Sequence, residues 1–465
     1  MEDSDTMKAR TGREQLDRRW SKYEDEAEGW THSGYLSDGK HGAAKEELLE
    51  SILDRANLNE AWRRVRANNG AAGMDGMSIE AFPAWSRANW ERIDAQIRRG
   101  QYRPAAVRRV WIPKGNGEQR PLGIPTVLDR VIQQAIAQVI APLFEVQFSE
   151  HSYGFRPGRR AHDAVKSIQA AARARRDYAV DCDLKSFFDM VDHCQLMQRL
   201  RRRIEDGRVL HLIGRYLRAD IVLPNGTRKA TPAGVPQGGP LSPLLANIML
   251  DDLDHELEKR GHRFARYADD FIIVVKSKRA AERVMASISS YIETKLKLVV
   301  NRAKTKVAKL SQCSFLGFII SAKVIRTAEP KLAAFKQTIR HITTRSWSIA
   351  MSERLKRLRL YVNGWLCYYA IGMPYAQARA LDKWLRRRVR LCYWKQWRLP
   401  RTRFRNLLKL GINRSTIKQA SRCRKGYWRC SQLSVVRIAM NNKWLAKQGC
   451  PSIKEQWINL RYPNG

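Results

Sequence analysis

The pattern of hydrophobic and polar positions changes its period several times along the chain. Apolar residues recur at helical spacing from residue 45 and again through 85–97. Short runs rich in β-branched and aromatic residues, at 107–112, 178–182 and 264–275, predict strands instead. The larger, N-terminal part of the chain is therefore predicted to be α+β, with helices packed around antiparallel hairpins.

The most informative strand pair surrounds two adjacent carboxylates. Tyr267 and Ala268 precede Asp269 and Asp270, and the apolar run Phe271–Val275 follows them. This order predicts a strand, a tight turn that carries the two aspartates, and a second strand. A buried carboxylate is costly unless it is paired or binds a metal, and two neighbouring carboxylates repel each other. The hairpin therefore predicts a divalent cation, and oxygen ligands of this kind suit Mg²⁺.

A second acidic segment lies upstream, where Asp181, Asp183 and Asp189 interrupt an otherwise apolar run. Two-metal phosphoryl transfer needs carboxylates from separate segments, because they hold cations about 3.5–4 Å apart. An isolated acidic pair is more often a solvent-exposed turn. The apolar flanks and the presence of a second acidic strand favour a metal site here.

Two basic loops are candidates for binding nucleotides or nucleic acid. Residues 107–125 predict a β-hairpin with a glycine-rich turn, flanked by Lys114 and Arg120. Cations on such a hairpin are suited to holding a nucleotide triphosphate. The loop at 152–160 combines aromatic residues with Arg156 and Arg159, a composition typical of segments that follow a nucleic-acid backbone.

Further candidates lie on either side of the acidic hairpin. The glycine- and proline-rich loop 234–243 allows close backbone approach to a base pair, and the Gln237 amide can bond a sugar or base edge. Downstream, Lys304 is a candidate for neutralising charge on, or donating a proton to, leaving pyrophosphate.

The C-terminal region is helical and strongly basic. Residues 331–465 hold 31 Lys and Arg against three acidic residues, out of a net charge of +41 for all 465 residues. A predicted helix at 381–397 interleaves aromatic residues, which at this spacing are more often core, with arginines. Arg386 and Arg390 share one face of it, and we expect them to contact phosphates.

Composition also excludes several classes of protein. No apolar run reaches the roughly 18–20 residues of a membrane span, and no signal segment is present. Eight cysteines without a C-x-x-C pair suggest free thiols in the cytoplasm. A zinc site is not expected, because no histidine follows His341. Residues 1–42 are polar and predict a poorly ordered extension.

Taken in order, these motifs resemble those of group II intron-encoded proteins, which are bacterial reverse transcriptases and maturases. The resemblance implies a right-hand polymerase, with fingers and palm at 43–330 and an α-helical thumb or maturase domain at 331–465. Within this family, the chain is similar to class C-like members that lack an HNH endonuclease. The motifs that carry it are RPLGIP at 120–125, HSYGFRPGR at 151–159, DLKSFFD at 183–189, GVPQGGPLSPLLANIMLDDLD at 234–254, RYADD at 266–270, NRAKT at 301–305, FLGF at 315–318 and NGWLCYY at 363–369.

The resemblance assigns roles to single residues. It implies that Asp183, Asp269 and Asp270 hold two Mg²⁺ ions, with Mn²⁺ as a substitute. The incoming nucleotide would be bound by Lys114, Arg120 and Gln237. An aromatic residue that rejects a ribose 2′-hydroxyl falls on the pair Phe187 and Phe188, and Phe188 is preferred.

The leading interpretation is an RNA-directed DNA polymerase that copies its intron RNA and assists splicing and mobility. Its expected partners are group II intron RNA, an RNA template with a DNA primer or target, and deoxynucleoside triphosphates; a homodimer stays open. One alternative is an RNA-binding splicing factor with a decayed polymerase, although all three metal carboxylates are present. Another is a reverse transcriptase with a defence role, against which the long basic C-terminal region argues.

Overall fold

A computed structural model describes residues 47–113 and 119–463, and these residues form two compact units. The first unit consists of the described residues up to 164 together with 178–308, and the second of 165–177 with 309–463. This packing boundary lies before residue 330, and the domain limits 43–330 and 331–465 stay predictions. The predicted extension at 1–42 lies outside the described residues.

The first unit combines helices with two four-stranded sheets. Among the described residues its strands are β1 (Val107–Pro113), β2 (Gln119–Ile124), β3 (Tyr178–Cys182), β4 (Ile221–Val222), β5 (Arg228–Lys229), β6 (Arg263–Tyr267), β7 (Asp270–Val275) and β8 (Lys306–Lys309), which runs into the second unit. Its helices are α1 (Leu48–Leu53), α2 (Arg55–Asn68), α3 (Phe82–Arg98), α4 (Val127–Glu145), α5 (Ala161–Arg173), which also runs into the second unit, α6 (Phe187–Met190), α7 (His193–Arg201), α8 (Gly207–Leu217), α9 (Ser242–Lys259) and α10 (Lys278–Thr294). The predicted α+β class is confirmed.

One sheet contains the predicted basic hairpin. Its strand order is β2-β1-β4-β5, with β1 and β2 antiparallel and β1 parallel to β4. Arg120 lies opposite Ile112 in this register. The hairpin predicted at 107–125 is therefore confirmed in its strands, while its turn, including Lys114, lies outside the described residues.

The other sheet, in the order β6-β7-β3-β8, carries both acidic segments. Tyr267 pairs with Asp270 across the β6–β7 turn, and Cys182 at the end of β3 pairs with Phe271. The side chains of Phe271–Val275 are all buried, in agreement with the continuous apolar sequence of this strand. The register therefore brings Asp183, which follows β3, to the end of the strands where the β6–β7 turn lies.

Helix α4 is an apolar helix of the core. Its residues Val127–Glu145 are long and apolar enough to cross a membrane, and 61% of that stretch is buried inside the protein. Buried side chains such as Ile132, Ile136 and Ile140 pack into the main hydrophobic cluster of the unit. Burial of this kind identifies α4 as a core helix.

The second unit is mostly helical around its own hydrophobic cluster. A small sheet, ordered β11-β10-β9, is formed by β9 (Ser314–Phe315), β10 (Phe318–Ile320) and β11 (Ile325–Thr327). Helices α11 (Glu329–Ile342), α12 (Met351–Tyr369), α13 (Tyr375–Gln396), α14 (Pro400–Lys409), α15 (Arg414–Ser421), α16 (Tyr427–Cys430), α17 (Ser434–Ala439), α18 (Asn442–Lys447) and α19 (Ile453–Arg461) follow. The helix predicted at 381–397 is present as α13, which begins earlier, at Tyr375.

A buried acid on α9 makes the stability of the first unit depend on pH. Burial raises the pKa of Asp251 to about 6; His255, 3.5 Å away, opposes the shift, and the Asp254 carboxylate adds to it. Because the pKa is raised, ionisation of Asp251 is less favourable in the folded state than in the unfolded state. The stability that the protonated carboxyl contributes is therefore complete below pH ~4 and is lost as the pH rises through 6.

We therefore expect Asp251→Asn to raise the free energy of unfolding at pH 8 by about 1 kcal/mol relative to wild type, with a smaller difference at pH 4. Urea denaturation of both proteins at the two pH values measures this. A variant that is less stable than wild type at pH 8 and unchanged at pH 4 would contradict the assignment.

Candidate active site

The turn between β6 and β7 has an unusual backbone. Ala268 has a φ of +58°, in the left-handed region, and is followed by Asp269 and then Asp270, the first residue of β7. A left-handed conformation costs a non-glycine residue about 1–2 kcal/mol, so the surrounding structure must hold it in place. Strained backbone of this kind is found mainly at functional sites.

A buried arginine holds this turn. The Arg266 side chain is 0% exposed, and its Nε donates to both Asp254 carboxylate oxygens at 2.8 and 2.9 Å. The guanidinium also donates to Asn247 Oδ1 at 2.9 Å, to Ser152 Oγ at 2.8 Å and to the Ala268 carbonyl at 3.0 Å. These bonds connect α9, the 152–160 loop and the strained turn, and we call this set of residues the Arg266 network.

Gly154 packs directly behind the turn. A Cβ atom at this position would lie 2.4 Å from the Ala268 nitrogen, so glycine is required for this approach. Its carbonyl accepts a hydrogen bond from Asn247 Nδ2 at 2.8 Å. The sequence interpretation did not assign roles to Arg266, Asp254, Asn247 or Gly154. The charged residues within apolar segments were the available signal.

Asp183 is fixed by a second segment. Asn301 Nδ2 donates to Asp183 Oδ2 at 2.7 Å, and the Asn301 backbone nitrogen donates to the Asp183 carbonyl at 2.8 Å. Thr305 Oγ1 accepts from the Asp183 nitrogen at 3.2 Å. Asn301 and Thr305 lie in the NRAKT motif, where only Lys304 was assigned a role. Their contacts orient the Asp183 carboxylate.

The electrostatics connect the two acidic segments with the basic hairpin. Burial raises the pKa of Asp269, and the Asp183 carboxylate raises it further. Arg120 and Arg266 oppose the shift. The charges of Asp183, Asp269 and Arg120 therefore act on one another within one site. An ionised pair of carboxylates in this setting is stabilised by a cation.

Asp181 differs from Asp183 in having a basic partner. Lys306 Nζ lies 3.5 Å from Asp181 Oδ2. Burial raises the pKa of Asp181, while Lys306 lowers it. Asp181 is therefore the acid of this strand that the protein neutralises itself, which agrees with the preference for Asp183 as the metal ligand.

The donor chemistry of the site fits a hard divalent cation. Asp183, Asp269 and Asp270 offer carboxylate oxygens from two segments, and the effect of Asp183 on the pKa of Asp269 shows mutual repulsion that a cation would relieve. Within the described part of the chain, no three His, Cys, Asp or Glu side chains are drawn together as a ready-made ion site.

The two candidate gate residues differ in burial. Phe187 is 2% exposed, whereas Phe188 is half-buried and meets the Phe187 ring edge-on at 5.1 Å. The Phe188 carbonyl accepts from Val235 of the glycine-rich loop at 2.6 Å. Phe188 is thus the ring of the pair that a sugar can reach.

The glycine-rich loop packs against the basic hairpin. The Gln237 carbonyl accepts from the Gly123 nitrogen at 2.6 Å, and the Gln237 side chain is partly exposed. Arg120 on β2 is exposed, as is Lys304. The structure therefore places Arg120 close enough to influence Asp269 and joins Gln237 to the same hairpin. It describes no position for Lys114.

The Arg156 side chain is buried and makes its hydrogen bonds within the protein. Its guanidinium is buried, with Nε 2.9 Å from Glu145 Oε1 and Nη1 donating to the carbonyls of Ser149 and Ser152. These bonds satisfy acceptors that follow the C-terminus of α4. The predicted contact of Arg156 with nucleic acid is therefore not supported. Arg159 forms an ion pair with Glu150 at 2.7 Å and remains partly exposed.

The predicted phosphate contacts of Arg386 and Arg390 are also not supported. Arg386 forms an ion pair with Asp382 at 2.8 Å, and Arg390 Nε donates to the Met440 carbonyl at 2.9 Å. The reason is that α13 packs into the core of its unit, so its arginines find partners within the protein. The expectation that the aromatic residues of this helix are core holds for Trp394, which is fully buried.

Two family models match the chain. "Reverse transcriptase (RNA-dependent DNA polymerase)" matches residues 112–320, and "Group II intron, maturase-specific domain" matches residues 332–411. The first match contains the acidic hairpin, β3 and the NRAKT motif. The second covers most of α11 and all of α12 to α14.

Curated relatives agree with these matches. Protein YkfC of Escherichia coli K12 is 32% identical over 68% of this chain and 92% of its own length. The group II intron-encoded protein LtrA of Lactococcus lactis is 30% identical over 60% of this chain, which spans 57% of LtrA. A putative COX1/OXI3 intron 1 protein of Saccharomyces cerevisiae is 24% identical over 64% of the chain and 42% of its own length.

Two solved structures are distantly similar to the chain. A partial Cas6-RT-Cas1–Cas2 complex is 27% identical with a TM-score of 0.35, over 58% of this chain and 47% of that one. Telomerase from Candida albicans is 13% identical with a TM-score of 0.38, over 67% and 62%. The assignment therefore rests on the family models and the curated relatives. By these matches, the chain belongs to the family of group II intron-encoded proteins, in which a reverse transcriptase region is followed by a maturase domain.

Proposed function

We propose that the protein is an RNA-directed DNA polymerase that copies intron RNA and binds that RNA to assist splicing and mobility. The observation that carries the proposal is the pairing of β3 with β7, which brings Asp183 to the same site as Asp269 inside the matched reverse transcriptase region. Carboxylates from two segments are what two-metal nucleotidyl transfer requires.

The proposed reaction is attack of a primer 3′-hydroxyl on the α-phosphate of a deoxynucleoside triphosphate, with release of pyrophosphate. Asp183, Asp269 and Asp270 would hold two divalent cations, Mg²⁺ or Mn²⁺ in its place. When bound, such ions stabilise the charge on the attacking and leaving oxygens. Asn301 keeps the Asp183 carboxylate oriented through its 2.7 Å hydrogen bond.

Basic residues around the carboxylates would bind the nucleotide. Arg120 lies on β2, and its charge lowers the pKa of Asp269, which supports the proposal that it holds the triphosphate. Gln237 would contact the sugar or base, and Lys304 the pyrophosphate. Lys114 keeps its proposed contact with the triphosphate on the grounds of the motif alone.

The proposed sugar gate gives a direct prediction. We expect Phe188→Ala to raise the incorporation of ribonucleotides relative to deoxyribonucleotides by about 10-fold or more, because one lost steric contact of 1–3 kcal/mol changes selectivity by this order. Steady-state kcat/KM for each nucleotide on an RNA template measures the ratio. Phe187→Leu serves as the control, since Phe187 is buried behind the gate. If the Phe187 variant changes the ratio and the Phe188 variant does not, the gate is wrongly assigned.

The second unit supplies the proposed surface for intron RNA. Exposed basic residues cover α14, α15 and the segment that follows, where their charge has no nearby acidic residues in sequence. Protein–RNA contacts to phosphate release counterions, so affinity falls as salt rises. The exposed residues are Arg401, Arg405, Lys409, Arg414, Lys418, Arg422, Arg424, Lys425 and Arg429.

A pair on α14 tests this surface. We expect Arg401→Gln with Arg405→Gln to lower the slope of log affinity against log salt for intron RNA by about 1–2 units, since each phosphate contact contributes about 0.7–0.9. The matched control is Arg386→Gln with Arg390→Gln, which should reduce stability and leave the slope of the folded protein unchanged. The reverse pattern would return the RNA surface to α13.

The cytoplasm is the proposed location. All eight cysteines are free thiols, which suits a reducing compartment. The one apolar helix of membrane length among the described residues is packed in the core.

Primer extension by the purified protein tests the proposed function. An RNA template annealed to a DNA primer, with Mg²⁺ and the four deoxynucleoside triphosphates, should yield complementary DNA. Binding of intron RNA without any extension would instead support a splicing factor that has lost polymerase activity.

A further inference from the structure

Phe155 has two features that are costly in free energy. Its side chain is 60% exposed, although it is a large apolar ring. Its φ of +56° also lies in the left-handed region, which bulky residues rarely adopt. Asparagine or glycine would suit both the backbone and the solvent better. A phenylalanine at such a position therefore needs an explanation beyond packing.

The backbone on both sides of Phe155 is held in place. Gly154 lies against the Ala268 nitrogen, and Tyr153 donates its backbone N–H to the Arg266 carbonyl at 2.8 Å. On the other side, Arg156 is buried among the carbonyls at the end of α4. These contacts hold the backbone at Phe155 in place relative to the β6–β7 turn.

The Phe155 ring lies next to the β6–β7 turn. Its centroid is 5.9 Å from that of Tyr267, with the planes inclined at 46°. Tyr267 pairs with Asp270 and lies two residues before Asp269. The two rings thus form an apolar surface, which we call the Phe155–Tyr267 surface, beside the carboxylates proposed to carry out the chemistry.

We propose that the Phe155–Tyr267 surface contacts the 3′-terminal nucleotide of the primer strand. The inference rests on the proposed polymerase function, because that reaction requires the primer 3′-hydroxyl to lie at Asp183 and Asp269. Whatever carries the hydroxyl must then pass beside the turn. Aromatic rings bind bases and sugars without regard to sequence, as a polymerase that copies any template needs.

The test compares Phe155→Gly with wild type. Glycine removes the ring and relieves the left-handed strain, so the melting temperature should be equal or higher. Affinity for an RNA template annealed to a recessed DNA primer should fall about 10-fold, as expected for loss of one stacked contact. Phe155→Tyr should restore affinity to within a few-fold. Tyr462→Ala, which removes a ring that is 58% exposed in the second unit, is the matched control and should leave primer–template affinity unchanged.

A fluorescent base locates the contact. With 2-aminopurine as the last primer nucleotide, wild type should change its emission on binding, and Phe155→Gly should not. Unchanged duplex affinity in Phe155→Gly, or an equal loss of affinity for single-stranded template RNA, would overturn the inference. These outcomes count only where wild type extends the primer; failure of wild type to extend would refute the proposed function itself.

Discussion

Replacing Asp183 or Asp269 by asparagine is expected to lower the rate of primer extension about a thousandfold or more, with RNA binding retained. Loss of one carboxylate from a two-metal site removes several kcal/mol of transition-state stabilisation, and each 1.36 kcal/mol is a factor of ten. Single-turnover extension at saturating primer–template measures the effect free of changes in binding.

Asp181→Asn provides a control from the same strand. Asp181 is partnered by Lys306 at 3.5 Å and lies two residues from Asp183. Its substitution removes an equal charge while keeping the proposed ligands, so we expect a rate within a few-fold of wild type. A thousandfold loss in the Asp181 variant, with full activity in the Asp183 variant, would exchange their roles.

Arg266→Met is expected to reduce the free energy of unfolding by about 3–5 kcal/mol, because it leaves a buried carboxylate without its partner. Both Arg266 and Asp254 side chains are 0% exposed. The substitution also removes the bonds to Asn247, Ser152 and the Ala268 carbonyl. Urea denaturation at pH 7 measures the loss.

A double substitution separates the buried charge from the rest of the network. Asp254→Leu in the Arg266→Met background should recover part of the stability, since it removes the unpaired carboxylate. Polymerase activity should stay low in the double variant, because the Ala268 carbonyl is still without its donor. If Arg266→Met alone costs less than 1 kcal/mol, the Arg266 network does not hold the turn.

The acidic hairpin could be predicted because its information is local. Tyr267 and Ala268 before Asp269 and Asp270, with the apolar run Phe271–Val275 after them, predicted the β6–β7 turn, and the apolar run around Asp183 predicted β3. The pairing of β3 with β7 joins residues far apart in sequence, yet the shared chemistry of their carboxylates was sufficient to suggest it.

The partners of Arg156 and Arg390 could not be predicted in the same way. Arg156 and Arg390 bond to backbone carbonyls, which every residue carries and no sequence pattern marks. Arg386 has its acid one helical turn away, at Asp382, so its pairing was visible in the sequence. Helical spacing predicted that Arg386 and Arg390 share a face, but not that this face is packed within the protein.

The Arg266 network shows a third case. The charges of Arg266 and Asp254 were visible within apolar segments, but their contact, in which Nε and Nη2 of Arg266 both donate to the carboxylate, depends on how α9 lies against β6. Asn247, Ser152 and Gly154 join it from separate segments. Such buried polar networks arise from tertiary packing and leave only isolated polar residues in the sequence.

The central claim, that the β3 and β6–β7 carboxylates hold divalent cations, is tested most directly by iron-mediated cleavage. Fe²⁺ replaces Mg²⁺, and ascorbate with peroxide then generates radicals that cut the backbone beside the bound ion. The account predicts cuts near Asp183 and at the turn containing Asp269, suppressed by excess Mg²⁺ and weakened in Asp269→Asn. Cuts that avoid both segments, or that persist in excess Mg²⁺, would contradict it.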